Sequence, residues 1–196
     1  MLFFGTGDRE DPKGTKDIDF IYAFKDKDAS TTKNKSDLVD VSGFYSLNAD
    51  GQTAKLNEIK SGLGWYIKME KKEGEKVLAT PVVYAKTAYF TTFSPSTDAV
   101  GDPCFIGEGT ASLYALNWST GEAAFNLDDP TNLGIGARPT TKSDRTKIIG
   151  SAIPSGVVVT VIGGKVVAYI GVGGGVVKPP TPGTRSLFPV TWKLVF

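Results

Sequence analysis

Apolar and polar residues alternate along several short stretches of this chain, most clearly in GWYIKMEKKEGEKVLATP, which starts at Gly64. Two alternating sets of side chains point to opposite sides of an extended backbone: Trp65, Ile67 and Met69 against Tyr66, Lys68 and Glu70. A period of two predicts a half-buried β-strand. The same pattern, interrupted by turn residues, recurs along most of the sequence.

Turn residues between such strands predict β-hairpins. We expect hairpin turns at Lys71–Gly74, Ala85-Lys86, Ser119–Gly121 and Gly163-Gly164. Helical patterning is thin, and Thr53–Gly62 is long enough for only a turn or two. Roughly a dozen short strands in one chain indicate an all-β fold of antiparallel meanders, in a sandwich, a barrel or a propeller.

The apolar stretch from Ile148 to Val177 is long enough to resemble a membrane span. Lys165 lies near its middle, where a charge would cost roughly 2.5–3.5 kcal/mol in a bilayer. Gly163-Gly164 divides it into two β-branched runs. We therefore predict a hairpin here and no membrane span.

Composition restricts the possible functions. Lys and Arg number 22 against 21 Asp and Glu, so a net charge of +1 provides no field that would favour nucleic acid. The chain has no histidine, which excludes Ser-His-Asp and Cys-His catalysis and histidine-based metal sites. The apolar start, Leu2–Phe4, is too short for a signal peptide and predicts an immediate strand.

Cys104 is the sole cysteine, and Asp102 lies two positions before it. A neighbouring carboxylate disfavours a thiolate, and no histidine can activate the thiol. We therefore expect Cys104 to have a structural role, as a small buried residue.

Three acidic residues near the start, Asp8, Glu10 and Asp11, are the candidate metal ligands, with calcium as the candidate ion. The competing interpretation is a solvated loop in which Arg9 and Lys13 neutralise them. A second candidate is an aromatic set that could form a sugar-binding platform but is expected to belong to the core: Trp65, Tyr66, Tyr84, Tyr89, Phe90 and Phe93. No catalytic or cofactor-binding residue is predicted.

The segment LYALNWSTGEAAF, Leu113 to Phe125, resembles the repeat of quinoprotein-type propellers, in which Tyr-Ala-Leu is followed by Thr-Gly and an aromatic residue. FIYAFKDKD, from Phe20, is a weaker copy. Several segments in this order resemble the C-terminal region of PilY-type type IV pilus assembly proteins: FFGTGDRED, IYAF, GWYIKM, GEKVLATPVVYAKTAYFTTFSP, DPCFIGEGTASLYALNWSTGEAAF and TWKLVF.

This resemblance implies a partial or modified β-propeller, with residues 1–196 forming the C-terminal portion of a larger protein and 178–186 a proline-rich connector before the last strand. It implies a non-catalytic structural and interaction domain that promotes pilus assembly, cell adhesion and surface attachment. The implied partners are pilins, minor pilins of the pilus tip and a host or abiotic surface. The implied location is the periplasm, the outer membrane surface or the tip of the fimbrium, in a secreted protein. A secreted parent protein implies the alternative that Cys104 has a disulfide partner outside this chain.

Two alternatives remain open, namely a quinone-dependent dehydrogenase propeller fragment and a carbohydrate- or matrix-binding β module. The dehydrogenase would normally need a vicinal disulfide, which one cysteine cannot form. The calcium loop of some PilY-type members is not matched, because NADGQ, Asn48 to Gln52, contains only a fragment of it. In a partial propeller, we expect self-association through the edge strands Met1–Gly5 or Val190–Phe196.

Overall fold

The computed structural model describes residues 1–26, 32, 34–69, 72–96, 109–128 and 141–182. Twelve strands and one α-helix lie within these residues. The strands form three separate sheets whose neighbours are antiparallel with a single exception. The mainly β, antiparallel architecture that the sequence predicts is therefore present. None of these sheets closes on itself.

The first sheet has the strand order β1-β2-β4-β3, in which β3 and β4 run parallel. Its strands are β1 (Leu2–Gly5), β2 (Phe20–Phe24), β3 (Val39–Asp40) and β4 (Gly64–Lys68). Short 3-10 helices at Lys35–Asp37 and Phe44–Ser46 flank β3. The predicted alternation in β4 is observed, because Trp65, Ile67 and Met69 are buried.

The helix α1 (Ala49–Ser61) connects β3 to β4 and is longer than the turn or two that the sequence predicts. Asn48 caps its N-terminus, since the Asn48 side chain accepts a hydrogen bond from the Gly51 amide at 2.8 Å. The fragment NADGQ is thus the start of a helix. Ile59 attaches the helix to the core.

The second sheet lies in the middle of the molecule and has the order β5-β7-β8-β9, with β6 also paired to β7. Its strands are β5 (Lys76–Val77), β6 (Val82–Tyr84), β7 (Thr87–Ser94), β8 (Thr110–Asn117) and β9 (Thr146–Ser151). All eight residues of β7 are buried. A third 3-10 helix, Lys142–Arg145, precedes β9.

The third sheet is a meander of β10 (Val158–Ile162), β11 (Lys165–Val172) and β12 (Gly175–Val177). The apolar stretch from Ile148 to Val177 therefore consists of strands and turns. Within the described residues, no helix has the length and apolar character needed to cross a membrane.

The two faces of the second sheet are covered by the other two sheets. Phe90 and Leu116 pack with Trp65 of the first sheet in one core, whereas Tyr89 and Leu113 pack with Ile170 of the third sheet in another. The molecule is thus a stack of three sheets in chain order, and burial of both faces explains why β7 and β8 contain no charged residue. The outer faces of the first and third sheets remain exposed.

Three of the four predicted hairpin turns are present. Ala85-Lys86 joins β6 to β7, Ser119–Gly121 follows β8, and Gly163-Gly164 joins β10 to β11. The fourth prediction, a hairpin at Lys71–Gly74, is wrong because β4 pairs with β2 and β3 whereas β5 pairs with β7. The chain passes there from the first sheet to the second.

The turn at Ala85-Lys86 is strained, since both residues have positive φ values, 44° and 68°. This left-handed backbone disfavours residues with a Cβ and favours Asn-Gly. We predict that Ala85→Asn combined with Lys86→Gly raises the free energy of unfolding by about 1 kcal/mol. Urea unfolding measures the change.

The turn at Gly163-Gly164 provides the matched control, with φ values of 57° and 74°. Alanine at both positions should lower the free energy of unfolding by about 2–4 kcal/mol. A loss of stability in the Asn-Gly variant would show that the turn at 85–86 is not strained.

Candidate interaction face

The outer face of the first sheet is rich in aromatic residues because the strands place them there by alternation. In β2, Ile21 and Ala23 are buried, so the intervening side chains point outward. In β1, Phe3 packs against the core while Leu2 and Phe4 remain 53% and 45% exposed. We call this surface the aromatic face; it comprises Leu2, Phe4, Phe20, Tyr22, Phe24 and Tyr66.

Four rings of the aromatic face form a continuous series across three strands. Phe4 of β1 stacks on Tyr22 of β2 with ring centroids 4.9 Å apart. Tyr22 lies 5.8 Å from Phe20 and 6.1 Å from Tyr66 of β4, and Phe20 meets the edge of Tyr66 at 5.9 Å. These separations lie in the range of favourable aromatic pairs. The rings therefore support one another as a preformed surface.

A lysine lies on one end of this series. The ammonium nitrogen of Lys35 is 3.5 Å from the centroid of the Phe20 ring and 4.8 Å from that of Tyr66. Lys35 begins the first 3-10 helix, which is fixed by a hydrogen bond from the Asn34 amide to the Asp37 carboxylate at 2.7 Å. Cation–π contact thus adds a positive charge to an otherwise apolar surface.

A groove lies beside the stacked pair of Phe4 and Tyr22. Its volume is about 470 Å³. The residues around it are Leu2, Phe4, Thr6, Tyr22, Phe24, Asn34, Lys35 and Leu38. The groove therefore combines aromatic walls with an amide, a hydroxyl and an ammonium group along its rim.

Asp40 borders the aromatic face at Tyr66, its partner in the β3–β4 register. Partial burial raises the pKa of Asp40, but hydrogen bonds from Ser42 and Tyr66 outweigh it and hold the pKa below its ordinary value of 3.8. Burial and the Asp40 charge raise the pKa of Tyr66. The phenol therefore donates to an ionised carboxylate at neutral pH.

This pair predicts a specific dependence of stability on acid. Because the folded pKa of Asp40 is lowered, its carboxylate stabilises the fold above the ordinary pKa of 3.8, and this contribution is lost as the pH falls through the folded value. Asp40→Asn should therefore destabilise the protein at pH 7, with the difference from the wild type shrinking in acid. Urea unfolding at several pH values measures the difference in free energy of unfolding between Asp40→Asn and the wild type. Tyr66→Phe should show part of the same loss, because it removes the hydrogen bond to Asp40. A difference that grows in acid would contradict the assignment.

The strand β1 forms one edge of the first sheet, pairing with β2 alone among the described residues. The Thr6 amide donates to the Phe20 carbonyl at 2.9 Å, so alternation directs the backbone groups of Phe3 and Gly5 away from β2. Beyond this edge, the Val77 amide donates to the Thr6 carbonyl at 2.9 Å. The open part of the edge therefore spans the beginning of β1 and adjoins the aromatic face.

The predicted metal ligands Asp8, Glu10 and Asp11 lie in an exposed loop after β1. The Asp8 carboxylate accepts a hydrogen bond from the Glu10 amide at 2.8 Å. Among the described residues, no three acidic or cysteine side chains are grouped so that they could hold a metal ion. Calcium binding at this loop stays a prediction from the sequence.

Other sequence predictions fall wholly or partly outside the described residues. These are Cys104, the edge strand Val190–Phe196 and all but the first five residues of the connector 178–186. Of the predicted aromatic set, Trp65, Tyr89, Phe90 and Phe93 are buried, as expected of core residues. Tyr66 instead belongs to the aromatic face.

Sequence reasoning missed most of the aromatic face. The signal was present in Phe20–Phe24, where aromatic residues occupy every second position and the smaller Ile21 and Ala23 lie between them. The aromatic residues and the two residues between them are all apolar. Because aromatic side chains are larger, their size alone would have placed them in the core. The structure shows the reverse assignment.

Comparison with known proteins does not extend this description. No protein-family model matches the chain, and neither a curated protein nor a solved structure is detectably similar to it.

Proposed function

We propose that this chain is a non-catalytic interaction domain that binds a partner protein through the aromatic face and the adjoining edge of β1. The observation that carries the proposal is the series of four rings on the outward face of the first sheet, of which Phe4 is exposed and the other three are half-buried. Successive ring centroids are no more than 6.1 Å apart. Contiguous exposed apolar patches mark interaction sites in soluble proteins. Aromatic residues also supply much of the binding energy at interfaces.

The geometry also explains how a partner would be oriented. The rings provide a preformed apolar contact, so little side-chain entropy is lost on binding. The outward backbone groups of Phe3 and Gly5 can pair with an added strand, which fixes the direction of the incoming chain. Lys35 favours a partner with an acidic group next to its apolar contact surface.

We further propose that the partner is a pilin or a minor pilin of the pilus tip, and that the domain promotes pilus assembly and surface attachment. The resemblance of its segments to PilY-type proteins supports this choice and with it a location in the periplasm, at the outer membrane surface or at the pilus tip. Three sheets stacked in chain order are compatible with neighbouring blades of a partial or modified propeller. On this proposal, no cofactor is required, and calcium remains a candidate ligand.

Biolayer interferometry against purified major and minor pilins tests the partner. The proposal predicts saturable binding to a pilin and none to an unrelated protein with a similar charge. A parallel assay adds quinone and calcium and follows the visible chromophore and dye reduction. Dye reduction without pilin binding would instead support a quinone-dependent dehydrogenase.

A carbohydrate or matrix ligand is the second candidate, and the groove beside Phe4 and Tyr22 is the observation that favours it. Sugar rings stack on aromatic side chains, and Asn34 and Lys35 line the same groove and offer hydrogen bonds to hydroxyl groups. Glycan-array binding that is lost in Tyr22→Ser, in a protein that fails to bind pilins, would favour this candidate over the first.

A further inference from the structure

The outer face of the third sheet is lined by aliphatic side chains. In β11, Ala168 and Ile170 are buried against the second sheet, so the residues that alternate with them point outward. Residues opposite one another in antiparallel strands share a face, and the register therefore extends this face onto β10 and β12. We call this surface the aliphatic face; it comprises Val158, Ile162, Lys165, Val167, Tyr169 and Val176.

Three residues of the aliphatic face are well exposed, since Val158, Ile162 and Val176 have exposed fractions of 61%, 55% and 68%. The half-buried Val167 and Tyr169 of the central strand lie between them. The three strands therefore form one apolar surface open to solvent, and such surfaces mark interaction sites.

The tip of the β10–β11 hairpin projects from the molecule. Val161 points to the opposite side of the sheet from Ile162, yet its exposed fraction is 54%. A side chain added at Gly163 or Gly164 would meet no other atom within 4 Å. The tip therefore exposes apolar side chains on both of its sides, and both could enter an apolar medium together.

The charges carried by this part of the chain are all positive. Residues 146–182 include three lysines and no acidic residue, because all 21 Asp and Glu of the chain lie in residues 1–144. The net charge of +1 for the whole chain therefore conceals a separation of charge along the sequence. An asymmetry of this kind favours a negatively charged binding partner at the basic end.

Two of these lysines lie at opposite ends of the aliphatic face. Lys165 is exposed and pairs with Ile162 beside the hairpin tip. The ammonium nitrogen of Lys178 lies 5.6 Å from the centroid of the Tyr169 ring, and Tyr169 pairs with Val158 near the other end of β10. The apolar surface is thus flanked by a positive charge at each end.

This combination matches an anionic lipid surface better than a protein partner. Aliphatic side chains insert at the boundary between lipid headgroups and acyl chains, while flexible lysines reach the phosphate groups. A tyrosine ring is also favourable at that boundary. Protein interfaces depend instead on clusters of aromatic and arginine anchors, whereas Tyr169 is the one aromatic residue of the aliphatic face.

We propose that the aliphatic face binds to the surface of a bilayer that contains anionic phospholipids. Val158, Ile162 and Val176 contact the boundary of the acyl chains, and Lys165 and Lys178 contact lipid phosphates from the two ends of the face. The contact is peripheral and requires no membrane-spanning segment. It involves a different sheet from the aromatic face, so the proposal does not depend on the identity of the partner there.

Flotation of the whole chain with lipid vesicles tests the proposal without any substitution. The chain should float with vesicles of equal parts phosphatidylcholine and phosphatidylglycerol, and it should remain unbound with vesicles of phosphatidylcholine alone. Raising the ionic strength from about 0.1 M to about 1 M should weaken binding, because the screening length falls from about 10 Å to about 3 Å. No binding to the anionic vesicles, or equal binding to both kinds, would overturn the proposal.

Variants of the aliphatic face separate its apolar and charged contributions. Val158→Ser combined with Ile162→Ser should weaken binding to the anionic vesicles by at least about tenfold, because less apolar area leaves water. Lys165→Gln combined with Lys178→Gln should weaken binding about twenty-fivefold, or about fivefold for each basic residue near an anionic surface. Unchanged binding in either double variant would contradict the proposal.

Matched controls lie in the first sheet and the segments attached to it. Phe4→Ser removes an exposed apolar side chain from the aromatic face, and Lys13→Gln combined with Lys60→Gln removes two exposed lysines. Both controls should leave vesicle binding unchanged. A loss in the lysine control equal to that in the Lys165 and Lys178 variant would show general attraction to negative charge and contradict a specific face.

Two further measurements identify the surface that is used. Without pilin, anionic vesicles should slow amide hydrogen exchange in β10–β12 and leave β1 and β2 unchanged; slowing confined to β1 and β2 would overturn the proposal. Sedimentation velocity without lipid should show no self-association through this face. A dimer that dissociates when Val158 and Ile162 are replaced by serine, in a chain that does not bind vesicles, would assign the face to a second copy and overturn the proposal.

Discussion

Trp65→Ala is expected to lower the free energy of unfolding by about 3–5 kcal/mol, the range for truncation of a large buried aromatic residue. Trp65 is 0% exposed and lies in the core between the first two sheets. Its indole N–H donates to the Trp118 carbonyl at 3.3 Å, so the variant also loses a hydrogen bond. Urea unfolding measures the loss, and Trp65→Phe provides a milder variant if the alanine protein does not fold.

Trp118→Ala is the matched control, because this side chain is 36% exposed. Its backbone carbonyl remains available to Trp65, and the change should stay below about 1 kcal/mol. Equal losses at the two tryptophans would mean that the contact between the first two sheets does not depend on Trp65 as described.

Replacing Phe4 and Tyr22 together by serine is expected to weaken partner binding by at least about a hundredfold. Central aromatic residues of an interface often contribute 2 kcal/mol or more each, and this pair forms the stacked part of the aromatic face. The effect on folding should be about 2–4 kcal/mol, because Tyr22 contacts Phe4, Phe20 and Tyr66 and all three aromatic pairs are lost. Interferometry against the bound pilin and urea unfolding measure the two effects separately.

The control for this pair lies on the outer face of the third sheet. Val158 and Ile162 are exposed apolar residues on this face of β10, and serine at both positions removes apolar surface without touching the aromatic face. This variant should bind the pilin with unchanged affinity. A comparable loss of binding would point to nonspecific hydrophobic attachment.

Local features of the fold follow from the sequence because their determinants are adjacent residues. Gly163-Gly164 accepts the backbone of a tight turn, and the β-branched runs on both sides supply the strands. The turn at Ala85-Lys86 was also predictable, although neither residue favours the conformation that it adopts. In both cases, the paired strands are neighbours in the chain.

Adjacent residues do not determine in the same way which strands pair with one another to form each sheet. The alternation in β4 determines which side chains are buried, but it does not determine whether β2 or β5 lies beside it. A turn at Gly74 is compatible with both a hairpin and a passage to another sheet, and the second occurs. Only the packing of the whole molecule decides between them.

Sequence patterns were also insufficient to locate the candidate sites. In Phe20–Phe24, both alternating sets are apolar, so periodicity cannot show which set faces the core. The aliphatic face lies in a stretch that is apolar throughout, and which of its side chains are exposed depends on the packing of the third sheet against the second. The acidic loop at Asp8 has a recognisable composition, but composition did not predict the hydrogen bond from the Glu10 amide.

Amide hydrogen exchange of the chain with and without a bound pilin tests the proposed interaction most directly. The account predicts that slowed exchange on binding is concentrated in β1, β2 and the adjoining part of β4, with the amides of Phe3 and Gly5 included and the third sheet unchanged. Protection confined to β10–β12, with no change in β1 and β2, would contradict it.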